Sequence, residues 1–104
     1  MKIQLNTDKN IKGTENLEGF VNEKLGASLK RFTDKITRIE IHLSDQNADK
    51  GGADDIHCKM EARVEGIQPI MVMSKNATKE KAFAEATDKL KAALDSRIGK
   101  MQRK

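Results

Sequence analysis

At 104 residues, with 37% apolar and 35% charged side chains, the chain is sized for one domain, residues 1–104, with a modest core and a large solvated surface. Its longest wholly apolar run, residues 70–73, is far too short to span a bilayer, and no export signal opens the sequence, so a cytoplasmic location is expected. One cysteine excludes an internal disulfide, the lack of Trp and Tyr argues against a base-stacking surface, and a net charge of +4 points to a polyanionic partner.

Residues 2–6 alternate around Ile3 and Leu5, which predicts a short strand, and residues 7–13 read as a polar turn segment. Thr14 is placed to cap a helix running to Arg31 or Phe32, with Glu15 and Glu18 at its positive end. The apolar stripe of that helix is Leu17, Phe20, Val21, Leu25, Leu29 and Phe32. Gly19 and Gly26 each cost about 1 kcal/mol relative to Ala in a helix interior, and close approach to a sheet is one reason to keep them.

Ile39, Ile41 and Leu43 alternate with Arg38, Glu40 and His42, the pattern of a strand with one apolar and one charged face. Residues 45–55 are too rich in Gly, Asp and Asn to pair well and read as a loop. A second alternating strand places Ile56, Cys58, Met60, Ala62 and Val64 opposite His57, Lys59, Glu61, Arg63 and Glu65. After a turn over residues 66–69, a last strand covers residues 70–75, with its facing undecided because Ile70, Met71, Val72 and Met73 are all apolar. Three of the five methionines occupy core-like positions and read as packing.

From Thr78 to Lys104 apolar residues recur at Phe83, Ala86, Leu90, Ala93, Leu94, Ile98 and Met101, predicting a long amphipathic helix with Thr78 as its cap. Strand, helix, three strands and helix, each with one apolar side, make an α+β, βαβββα two-layer sandwich: a four-stranded sheet with two helices on one face.

No catalytic constellation is visible. His42 and His57 with Asp45, Asp54 or Asp55 would be the material for a small metal-dependent enzyme, but their spacing matches no recognised zinc pattern, and they read as an exposed pair on a solvated sheet. No metal and no cofactor is expected. Nor does the acidic loop match a calcium-binding loop, and Cys58 reads as a buried small hydrophobe.

The last helix concentrates the charge. Residues 89–104 carry Lys89, Lys91, Arg97, Lys100, Arg103 and Lys104 against Asp95, a net +5, whereas residues 1–88 sum to −1. Some cations at a helix C-terminus are expected because they complement the macrodipole. At 100° per residue, however, Lys89, Lys100 and Arg103 line one flank of the apolar stripe, Arg97 stands at its border, and Lys91 lies on the other flank. A one-sided row can follow a phosphate backbone, so nucleic-acid contact is preferred to mere solubility.

The chain resembles the ribosome hibernation-promoting factor and ribosome-associated inhibitor A family. The likeness rests on Thr14, Glu15, Leu17, Phe20, Val21 and Lys24 in the first helix, then Leu29, Phe32, Asp34 and Ile36, and on Ala82-Phe83, Asp88-Lys89-Leu90, Leu94, Lys100 and Met101 in the last. It departs from the family pattern at the helix entry Thr78-Lys79-Glu80 and at Ala84, where an acid is common, and at Ala92 and Ser96, where basic residues are frequent on the flank of Lys89. The resemblance implies a fold similar to double-stranded RNA-binding domains, and a non-enzymatic cytoplasmic protein that binds the small ribosomal subunit and its ribosomal RNA. It implies a seat in the messenger and transfer RNA region during stress or stationary phase, with no membrane or small-molecule partner and a monomer off the ribosome. Lys89 and Lys100 are the RNA contacts that it carries over, with Lys24 on the first helix; charge and helical position add Arg97, Arg103 and Lys104. The alternative from the same fold is a general double-stranded RNA-binding module not specific to ribosomes.

Overall fold

Thr14 and Thr78 begin the two helices as their hydroxyls predict: Thr14 Oγ1 accepts from the Leu17 N–H and Thr78 Oγ1 from the Lys81 N–H, each at 3.1 Å. The structure is a computed structural model; it describes residues 1–46 and 56–102, with side chains as far as Gly99. In chain order its elements are β1 (Lys2–Thr7), α1 (Glu15–Ser28), a 3₁₀ turn (Lys30–Phe32), β2 (Ile36–Asp45), β3 (Ile56–Val64), β4 (Ile70–Asn76) and α2 (Lys79–Gln102).

The first helix is shorter than its apolar stripe suggests. Leu29 leaves the helical region at φ −109° and ψ 19°, and Phe32 reaches the core through the following turn. Thr33 favours this ending by donating its hydroxyl to the Lys30 carbonyl at 2.8 Å, so a side chain competes with the next helical turn.

The sheet has the order β1-β2-β3-β4, with β1 and β2 parallel and the other pairs antiparallel. A parallel neighbour requires a crossover, which α1 supplies. Both helices cover the apolar face. Val21, Leu25 and Leu29 from one, Leu90 and Leu94 from the other, and Ile39, Ile41, Met60 and Ala62 from the sheet are all almost completely buried. Removing a leucine from such a site costs about 2–5 kcal/mol. Ile11 also joins this core, although its neighbours in sequence are polar.

Pairing resolves the facing of β4. Met71 stands opposite Glu61 and Met73 opposite Lys59, so both point away from the helices and are 55% and 50% exposed. The packing assigned to the methionines therefore holds for Met60 but is corrected for these two. The inward set is Ile70, Val72 and Ser74; buried Ser74 is tolerated because its hydroxyl donates to the Ala82 carbonyl at the start of α2.

Gly19 and Gly26 are not explained by close packing, because a Cβ on either would meet nothing within 4 Å. Gly66, at φ 86°, has a backbone reason: it turns the chain between β3 and β4.

Candidate nucleic-acid interface

Lys89 is the sequence-selected cation that the fold places most definitely. It leaves α2 on the flank facing the free edge of the sheet, and its Nζ donates to the Met73 carbonyl of β4 at 2.9 Å. Only one of three ammonium donors is used by this bond, so the charge is held in place yet still available. Glu85, one turn earlier, accepts from the Asn76 side chain at 2.5 Å, which occupies that carboxylate at the end of β4.

Lys24 lies elsewhere. Its ammonium stands 5.9 Å from the centre of the Phe20 ring, and Phe20 meets Phe83 of α2 at 5.6 Å. Lys24, Phe20, Phe83, Thr87 and Asp88 line a hollow of about 200 Å³ between the helices. That hollow is on the side of α2 towards α1, whereas Lys89 faces β4, so the fold does not bring these two cations together.

Arg97 is exposed, and no hydrogen bond or ion pair engages it among the described residues. Its neighbour Asp95 is paired with Arg31 of the 3₁₀ turn, whose guanidinium also lies 4.9 Å from the Phe32 ring centre. An exposed pair of this kind contributes little stability, but it neutralises the one acid in residues 89–104. The backbone of Lys100 belongs to α2 while its side chain lies outside the described residues, as do Arg103 and Lys104 altogether. Ala92 and Ser96 are exposed on α2 and add no charge there.

The open face of the sheet holds cations that no contiguous motif reveals. Lys59 is directly opposite both His42 and Met73, and His57 is directly opposite both Ser44 and Lys75. The two histidines are thus offset diagonally rather than face to face. Among the described residues no three His, Cys, Asp or Glu side chains are grouped to hold a metal ion; Asp54 and Asp55 lie outside them. Cys58 is fully buried, and loss of hydration pushes its thiol up to about 12, the opposite of an activated nucleophile. A hollow of about 400 Å³ at the β1 edge is lined by Gln4, Glu18, Asn22 and Arg38, and Arg38 is committed to Glu40 and Gln4.

The family model described as sigma 54 modulation protein / S30EA ribosomal protein matches residues 6–102. The chain belongs to this family. The resemblance to hibernation factors drawn from the two helices therefore holds, and the protein falls among ribosome-associated factors. The fold of this S30EA-family chain is similar to the N-terminal domain of Protein Y from Thermus thermophilus, at 21% identity and a TM-score of 0.74, covering 92% of this chain and 98% of that one. It is equally similar to a ribosomal subunit interface protein from Coxiella burnetii, at 18% identity and a TM-score of 0.74, covering 95% and 99% of the two chains. These likenesses establish the βαβββα fold. No curated protein sequence matches the chain. No described helix is long and apolar enough to cross a membrane.

Proposed function

We propose that this S30EA-family protein inhibits translation by occupying the messenger and transfer RNA region of the small ribosomal subunit under stress or in stationary phase. The observation that carries the reading is the family match over residues 6–102, and the name of the Coxiella protein points to the same partner. The geometry of α2 supports this reading. Lys89 is fixed at the edge of β4, Arg97 has no partner among the described residues, and the charge of Asp95 is cancelled by Arg31. Lys100, Arg103 and Lys104 extend the same basic stretch in sequence, with Lys24 as a secondary contact from α1.

Neutralising phosphates releases counterions, and a rigid domain seated there excludes messenger and transfer RNA by volume alone. The mechanism is non-enzymatic and needs no cofactor. Replacing Lys89, Lys100 and Arg103 together by Glu is expected to abolish co-sedimentation with small subunits and relieve inhibition in a translation assay, while the circular dichroism spectrum stays unchanged. Undiminished co-sedimentation would overturn the role given to α2, and equal affinity of the unaltered protein for subunits and a generic RNA duplex would overturn the ribosomal target.

A further inference from the structure

The outer face of the sheet is divided by charge. Towards one end, Arg38 donates to Glu40 at 2.6 Å and Arg63 lies 3.9 Å from Glu61, so each arginine is offset by a glutamate on its own strand. Towards the other end, Lys59, Lys75, His42 and His57 project from three strands, and among the described residues no hydrogen bond or ion pair engages their side chains. They come together only through register. One line across the sheet runs from Met73 on the edge strand to Lys59 and His42; the next runs from Lys75 to His57 and Ser44. Steps along such a line are about 4.8 Å, and steps between these two lines about 6.7 Å.

Lys89 joins the first line at its edge, because it is bonded to the carbonyl of Met73 itself. The positive surface of α2 therefore continues round β4 onto the sheet. We propose that Lys59 and Lys75, continuous with Lys89, form a second phosphate-binding band that grips an RNA backbone across the open face of the sheet. Charge complementarity selects this partner. Lys59 and Lys75 offer ammonium donors suited to phosphate, and the chain holds neither Trp nor Tyr, so the band reads the backbone without reading its sequence. Half-exposed Met73 stands between Lys89 and Lys59 and separates two cations rather than offering a broad apolar seat.

The band rests on the reading of the protein as a ribosomal RNA binder, and the experiment separates the two. The double variant Lys59→Gln/Lys75→Gln is compared with Lys2→Gln/Arg63→Gln, which removes the same charge from the other end of the same face, where Lys2 stands opposite Arg38. Binding to purified small subunits and to a mixed-sequence RNA duplex is measured across a salt series, with circular dichroism confirming each fold. The first variant is expected to bind both RNAs on the order of 30-fold more weakly at about 0.1 M salt, with a log–log slope shallower by roughly 1.4–1.8, two contacts' worth. The second should remain close to the unaltered protein.

Unchanged slopes for Lys59→Gln/Lys75→Gln, or equal losses in both variants, would overturn the band. So would a loss confined to Met71→Ser/Met73→Ser, which would assign the face to a protein partner. Failure of the unaltered protein to bind subunits, with duplex binding intact and sensitive to Lys59→Gln/Lys75→Gln, would overturn the ribosomal target and leave the band standing. Failure to bind either RNA would overturn both.

Discussion

The Asp8 carboxylate accepts the backbone N–H of Asp45 at 3.0 Å, tying the loop after β1 to the end of β2. Its other oxygen accepts from the N–H groups of Asn10 and Ile11 at 3.0 and 3.1 Å. One side chain thus closes a tight turn and directs Ile11 into the core, where it is 7% exposed.

Asp8→Ala should therefore lower stability by about 1–3 kcal/mol, because the partly buried Asp45 N–H loses this acceptor and the Ile11 N–H keeps only the Asp8 carbonyl, at 3.3 Å. Urea unfolding measures the loss. Ile11→Ala should destabilise as well, and the double variant should lose less than the two single effects combined, since Asp8 acts partly by seating Ile11. Strict additivity would separate the turn from the core contact.

Lys89→Gln tests whether a tethered cation differs from a merely exposed one. The side chain is exposed, so stability should change by no more than about 1 kcal/mol. Small-subunit binding should fall clearly, with a log–log salt slope shallower by roughly 0.7–0.9. Lys91→Gln removes equal charge from the opposite flank and should do much less; identical effects would reduce the α2 row to net charge.

Cys58 carries a pH signature. With its thiol pushed up to about 12 by burial, the folded protein keeps a proton that the unfolded chain releases near the ordinary thiol value of about 8.5. Between those values the unfolded state binds fewer protons, so this contribution lowers stability as pH rises, by about 1.4 kcal/mol per pH unit. Below the lower value both states hold the proton and no stability is lost. Unfolding free energies of the protein and of Cys58→Ala, measured from pH 8 to pH 11, should diverge with that slope. Parallel curves, or rapid alkylation of the native thiol at pH 8, would contradict a desolvated site.

Elements with one regular signal are legible in the amino-acid sequence: the two threonine caps, the alternation of β2 and β3, and the stripe of α2. Ile11 is hidden there because its burial comes from the Asp8 turn rather than from periodicity. The facing of β4 is hidden because Ser74, not a methionine, completes its inward set. Lys89 stands out by charge and helical position, but its bond to Met73 depends on tertiary placement. Lys59 and Lys75 are obscured for a related reason. They lie on different strands, far apart in sequence, and only the register sets them on adjacent lines.

Gly19→Ala and Gly26→Ala should each stabilise the protein by about 0.5–1 kcal/mol. The gain comes from backbone entropy: glycine gives up more freedom than alanine on entering a helix, and the added methyl has open space at both positions. The sites are separated by roughly 10 Å along α1, so their effects should add. For a chain of this size each kcal/mol corresponds to a Tm rise of about 4–8 °C, readable by thermal circular dichroism. Small-subunit affinity should stay constant, because neither methyl lies on the flank of α2 that carries Lys89 or on the open face of the sheet. A lower Tm in either variant would mean that α1 needs the glycine for its backbone path, and a weaker affinity at unchanged fold would extend the binding surface on α1 beyond Lys24.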